Sequence, residues 1–420
     1  MHEYMLALRA FSPSLRRLLL ANALITAVVF GVSAVLLNLY LLRLGLDAAL
    51  IGLVLGSGQL VWAATALPAG LVSSRIGLRN GYLLGAGCFG LGLALALLVE
   101  SLPAGGWTAW LIFSQAVAML GASFITVNNA PYLMAVTGEQ ERPHAFALFQ
   151  AVGPAAAFLG SLVAGLLPGL IAGSLGVSVE QPAPYRLALW LGPVLCWLAI
   201  VPLLGADPGR VVVRRDAQAG ADPAPLRLLF FYGVIVFMQA IGEGAIRTFF
   251  NIFLDAGLAV PLAQIGALMG MAQLLPVGVA LMIPFMLARW GTGYTYMAAL
   301  AVISICLLPL AAGPPLWMAA TAYMGIIGMS AITGATRDLL GQESVTPLWR
   351  TTIQSTVIIG LALGWAAIGV VGGYLIDTVG FGAMFLTGAI CTAISAGLLV
   401  GFLRMQRVAL PPPEPLAAGM

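Results

Sequence analysis

Apolar residues run through the chain in long stretches separated by short polar breaks. The stretches lie near 18–42, 50–73, 81–99, 107–136, 144–171, 185–205, 227–253, 262–288, 293–312, 315–336, 350–376 and 380–403. A helix of about 20 apolar residues crosses the hydrocarbon core of a bilayer. Each stretch therefore predicts one membrane-spanning helix, twelve in all. The short breaks force consecutive helices to run antiparallel, and an even count returns both chain ends to one side. The longest interruption, from Asp207 to Leu226, is rich in Arg, Asp, Ala and Pro and reads as a linker between two six-helix halves. The predicted organisation is an N-terminal segment 1–17, a bundle 18–205, a linker 206–226, a bundle 227–404 and a proline-rich tail 405–420.

Composition fits that pattern. Hydrophobic residues make up 61% of the 420 positions and charged residues 8%, against about 25% charged in soluble domains. With a mean hydropathy of +1.03, a globular fold would expose far too much apolar surface. Soluble enzyme, secreted disulfide scaffold and disordered chain are excluded. There is no lysine, which removes the P-loop lysine of an ATP-driven pump and any lysine Schiff base. Two histidines, His2 and His144, are too few for a histidine metal site. The four cysteines stand singly in apolar stretches and read as small hydrophobes. The first apolar stretch lacks a small-residue cleavage site, so no signal peptide is expected. A net charge of +3 is too small to suggest nucleic acid.

Arginine sets the expected orientation. With both ends inside, fifteen arginines face the cytoplasm: 9, 16, 17, 75, 79, 142, 210, 214, 215, 227, 289, 337, 350, 404 and 407. Only Arg43 and Arg186 face outward, and Arg247 lies within a span. Misplacing one span would switch the later arginines and erase the asymmetry.

The halves repeat. Asn38-Leu39-Tyr40-Leu41 at the end of the first span matches Asn251-Ile252-Phe253-Leu254 at the end of the seventh. Ile51-Gly52, Gly56, Gln59-Leu60, Arg75 and Gly77 recur 214 residues later as Ile265-Gly266, Gly270, Gln273-Leu274, Arg289 and Gly291. A second register of 204 pairs Pro143, Gln150, Gly160 and Gly165 with Pro347, Gln354, Gly364 and Gly369. A parallel repeat lets one half rock against the other around a central site.

The loop after the second span reads Gly70-Leu71-Val72-Ser73-Ser74-Arg75-Ile76-Gly77-Leu78-Arg79-Asn80. Here the chain resembles the major facilitator superfamily, whose loop is G-x-x-x-D-R-x-G-[RK]-[RK]. Gly70, Arg75, Gly77 and Arg79 match. Ser74 stands where the family has aspartate, and Leu78 replaces the first basic residue of the final pair. That aspartate latches the cytoplasmic face in the family, so Ser74 leaves the latch open to question. The resemblance covers almost the whole chain. It implies an all-α membrane protein of twelve transmembrane helices in two six-helix pseudo-repeat bundles, alternating-access transport of a small solute, and a monomer.

Charge inside a bilayer is costly and by default functional. Gln239, Glu243 and Arg247 recur every four residues on the seventh span and share one helical face. Glu243 follows Arg227 by 16 residues and precedes Asp255 by 12, which puts it near mid-membrane. A plain i,i+4 ion pair is one reading. The other is a proton-coupling acid, since burial favours the neutral carboxyl and Arg247 the charged one. The resemblance implies that the seventh span lines the cavity, as do the fifth and eleventh, which carry Gln150 and Gln354. The first half holds no deep charge, only Asn22, Gln59, Asn128, Asn129 and Gln150. Substrate or coupling candidates are Glu243, Arg247, Gln239, Asn129, Gln150 and Gln354. Gly70, Arg75, Gly77 and Arg79 are expected at a cytoplasmic gate.

The expected protein is not an enzyme, because no nucleophile–base or metal-ligand cluster is visible. It needs no cofactor beyond a coupling proton. Its partners are a small-molecule substrate and the lipid bilayer. Lysine-free, Ala- and Gly-rich usage fits a high-GC bacterium and its inner membrane. Export of an organic or amphiphilic solute is the first reading, uptake or uniport of a sugar-like metabolite the second, and a non-transporting scaffold or sensor the alternative of another class.

Overall fold

The computed structural model describes residues 12–138, 142–208, 225–346 and 349–409. The expectations for His2, Arg9, Glu139, Glu141, Arg210, Arg214 and Arg215, for most of the linker and for the tail beyond 409 lie outside the described residues. Among the described residues, twelve helices are long and apolar enough to cross a membrane. Numbered in chain order as spans, they are Pro13–Arg43, Ala48–Ile76, Leu78–Leu97, Ala104–Ala135, His144–Leu175, Pro182–Leu204, Leu226–Gly257, Leu262–Ala280, Ile283–Ala311, Leu316–Glu343, Thr352–Thr378 and Phe381–Met405. The described residues contain no strand. The four cysteines are free.

Local chemistry explains the ends and breaks. Ser12 caps span 1 by accepting from the Leu15 amide at 3.1 Å, with Pro13 in the first turn where its missing N–H costs nothing. Span 6 breaks at Trp190 and Ala199 into three short helices. Pro193 and Pro202 lack the N–H groups that the Leu189 and Leu198 carbonyls would accept, which accounts for both breaks. Gly77 ends span 2 at φ 92° and ψ 151°, and its repeat partner Gly291 bends the helix Ile283–Ala311 at φ 76° and ψ 167°. Two loops related by the 214-residue repeat thus share one left-handed turn that favours glycine.

One sequence boundary is corrected. The tenth apolar stretch was set to end at residue 336, leaving Arg337 in a cytoplasmic loop. The helix instead continues to Glu343, and Arg337 is buried at 9% exposure. The Arg337-Asp338 pair is followed by Leu339-Leu340. Arg337 Nε pairs with Asp338 Oδ1 at 3.2 Å, so the helix carries the two charges as a pair.

The three largest apolar cores among the described residues show how the spans are arranged. One holds residues only from Leu15 to Ala206, and another only residues from Leu229 to Phe402. The third joins both parts of the chain, running from Val32 to Leu189 and from Ile241 to Ala389. Spans 1–6 and 7–12 therefore have separate cores on the side that carries the 206–226 connection, here the linker side. They merge on the far side.

Contacts follow the same division. Repeat-related Asn38 and Asn251 interlock on the far side: Asn38 Nδ2 donates to Asn251 Oδ1 at 3.3 Å and to the Thr248 carbonyl. Asn251 Nδ2 donates to the carbonyls of Ala34 and Val35, each at 3.1 Å. Arg43 forms a two-pronged pair with Asp255 at 2.8 and 2.9 Å. Asp377 accepts the Ala48 and Ala49 amides at 3.2 and 2.7 Å, capping span 2 from span 11. Gly52 packs on the Gly369 backbone, and Gly165 on Gly266. Toward the linker side the partners change. Span 2 turns to span 4 through Gly70 against Val127, and span 11 turns to span 7 through Gly360 against Gly233 and Val236.

Candidate functional site

Span 7 supplies the charged core. Its residues Tyr232, Val236, Gln239, Glu243 and Arg247 fall at intervals of three or four and so share one face. Glu243 is 6% exposed, and its Oε1 accepts from Arg247 Nε at 2.8 Å. The Arg247 side chain is 30% exposed. Its Nη2 reaches Ser330 Oγ of span 10 at 3.4 Å, and that hydroxyl donates to the Ile327 carbonyl. A charge-assisted bond of this kind orders both side chains and neutralises the pair. It leaves the guanidinium with donors to spare.

One turn toward the linker side, the Tyr296 hydroxyl donates to Gln239 Oε1. Gln239 is 1% exposed, and its Nε2 has no hydrogen-bond partner. An unpaired buried donor is costly, so this amide is poised for a partner. Arg337 of span 10 pairs through Nε with Asp338 Oδ1 at 3.2 Å, and its carbonyl accepts from the Tyr232 hydroxyl. Spans 7, 9 and 10 thus converge on one polar cluster inside the second half.

Three of the sequence-predicted residues, Gln239, Glu243 and Arg247, line this face together. Among the described residues, no hydrogen bond or ion pair joins Asn129, Gln150 or Gln354 to Glu243. Asn129 is half-buried with its Oδ1 unpartnered, Gln150 is exposed, and Gln354 accepts from Gln342 at 3.3 Å. The sequence reading places none of Tyr232, Tyr296, Ser330, Arg337 and Asp338 at the site. The last two carried a signal, being a charged pair embedded in apolar sequence. The tyrosines and the serine carried none, because packing between helices decides which hydroxyl meets which amide.

The first half is polar without charge at depth. Asn128 donates to Ser73 Oγ at 2.8 Å and to its own helix at 2.7 Å, joining spans 4 and 2. Thr65 and Ser123 hydroxyls meet at 2.7 Å between the same spans. The gate-motif residues stay within this half. Gly70 allows span 4 to approach, Gly77 makes the turn, and Arg75 is exposed. Arg79 donates to the Ala206 carbonyl at 3.0 Å and so caps the end of span 6. Ser74 bonds back to the Leu71 carbonyl at 2.8 Å. No group of three or more His, Cys, Asp or Glu side chains suited to a metal ion occurs among the described residues.

Solved transporters share this architecture. The nucleoside transporter NupG superposes with a TM-score of 0.74 at 16% identity, over 93% of this chain and 100% of that one. The inward-open xylose transporter XylE from E. coli gives 0.71 at 12% identity, over 93% and 95%. A bacterial homologue of the lysosomal transporter Spinster, inward-facing and occupied, gives 0.68 at 15%, over 96% and 100%. At such identities the likeness is one of fold. No curated protein matches the chain. The sequence profile described as Major Facilitator Superfamily matches residues 18–344, most of the chain and both halves of the repeat. With twelve spans and this match, the chain belongs to the Major Facilitator Superfamily.

Proposed function

We propose that the protein is a secondary transporter that exports a small organic or amphiphilic solute by alternating access, with Glu243 as the proton-coupling acid. Spans 1–6 and 7–12 are the two rocking bodies. The arginine distribution supports both chain ends in the cytoplasm with the linker side facing it, and the lysine-free, Ala- and Gly-rich composition fits a bacterial inner membrane. The observation that carries the reading is the buried Glu243–Arg247 pair at 2.8 Å, whose arginine also reaches span 10. Exchange follows when solute and proton compete for the Glu243 carboxylate: a solute that engages it displaces the proton, and a proton that takes its place releases the solute.

The test is transport in liposomes under an imposed pH gradient, after a thermal-unfolding screen of solutes. Glu243→Gln abolishes gradient-driven accumulation while leaving solute exchange in place. Gradient-driven transport equal to the unaltered protein would move coupling away from Glu243. Uptake of a neutral sugar-like solute is the second reading. It is favoured by the Trp62–Trp365 stack between the halves, at 6.1 Å between ring centroids, and by the unpartnered Trp365 Nε1 and Gln239 Nε2. A stabilising ligand lost in Trp62→Ala but kept in Arg247→Ala selects that reading. If no solute class binds or moves, the scaffold or sensor reading takes first place.

A further inference from the structure

An open crevice lies between the halves on the far side, away from the Glu243 cluster. Its volume is about 890 Å³, and both halves build it. Leu166 and Leu170 of span 5 form an apolar wall, and Val260 and Leu262 close it from the second half. The polar groups gather at one end: Arg43, Glu180, Tyr185 and Asp255. Volume and lining match those of small-molecule sites, which are largely apolar with a few converging polar groups.

The charges choose the ligand. Arg43 is held by both Asp255 oxygens, at 2.8 and 2.9 Å, and its guanidinium lies 5.7 Å from the Tyr185 ring centre. That pair is desolvated, with side chains 14% and 11% exposed, and is neutral as a unit. Glu180 is the remaining charge. It touches Arg43 Nε at 3.1 Å and is 75% exposed. Two carboxylates against one guanidinium leave one negative charge at the polar end, so a cation is preferred there and an anion disfavoured. The lining loop carries backbone strain as well: Ala259 sits at φ 51°, a conformation rare for a residue with a side chain. Strain of this sort collects at ligand clamps.

We infer that this far-side cavity binds a monovalent lipophilic cation, with its apolar body against Leu166 and Leu170 and its charge toward Glu180. This site is separate from the Glu243 cluster, and its charged groups take no part in the proposed proton exchange. The probe is tetraphenylphosphonium, measured by calorimetry on the purified protein in lipid nanodiscs, with tetraphenylborate as the anionic control. Glu180→Gln is expected to weaken cation binding by about threefold to fivefold, as fits an exposed charge. Gly169→Phe is expected to abolish it, because Gly169 lines the cavity and a side chain there meets open space rather than neighbouring atoms. Failure of tetraphenylphosphonium to bind overturns the inference. So does equal binding by a folded Gly169→Phe variant or equal binding of tetraphenylborate.

Discussion

The interiors of the two halves differ in kind. Spans 7–12 bury Glu243 at 6% and Arg337 at 9% exposure and carry Arg247 beside them. Spans 1–6 bury Asn22, Asn128, Ser73, Ser114, Ser123 and Gln115, all neutral. The same repeat built both, so the difference is not imposed by the fold. An interhelical amide bond in a membrane contributes on the order of 0.6 kcal/mol. A buried ion pair often contributes little net stability, whereas one left unpaired costs several kcal/mol. Charge kept at that risk in one half only is placed for function, and amides in the other serve to hold helices together.

The hardest blow to that contrast is removal of the acid alone. Glu243→Ala leaves Arg247 in the interior without its carboxylate. Breaking a fully buried pair costs roughly 3–5 kcal/mol. Arg247 keeps 30% exposure, so the expected loss is about 2–3 kcal/mol by thermal unfolding. Glu243→Ala with Arg247→Ala recovers most of it. A single variant as stable as the starting protein would mean that Arg247 finds other partners and that the pair is incidental.

The neutral side of the contrast is probed by Asn128→Ala, which removes the bond to Ser73 at 2.8 Å. The expected loss is about 1 kcal/mol or less. Transport should keep its pH profile, since no ionisable group is touched. A shifted profile would show that the first half also takes part in coupling.

These contrasts were unevenly legible in the sequence. The twelve spans follow from hydropathy, because a lipid-facing helix must be apolar along its whole length. Glu243 and Arg247 stand out for the same reason. Arg337 does not, because a charge near the end of an apolar stretch looks like the end itself, whereas its pairing with Asp338 and the Tyr232 bond to its carbonyl arise only in the fold. Gln150 and Gln354 occupy repeat-related positions, yet one is exposed and the other bonds Gln342. Periodicity tells which residues share a face of one helix. It does not tell which neighbour that face meets.

The smallest expected effect concerns the two repeat-related loops. Ser74 occupies the position of the superfamily's latch aspartate and spends its hydroxyl on the Leu71 carbonyl at 2.8 Å. It lies in the last turn of span 2, where an acid opposes the helix dipole by about 0.3–0.5 kcal/mol. Ser74→Asp should therefore lower thermal stability slightly while the linker side is apart. If the acid finds a partner when the halves close there, the closed arrangement gains. Spin labels at exposed Val72 and Phe285, on spans of opposite halves, then report a shift toward shorter distances in Ser74→Asp. An unchanged distance distribution with the small stability loss would mean that no latch partner waits in the second half. The loop would then serve its own half alone, as Arg79 does in capping span 6 through the Ala206 carbonyl at 3.0 Å.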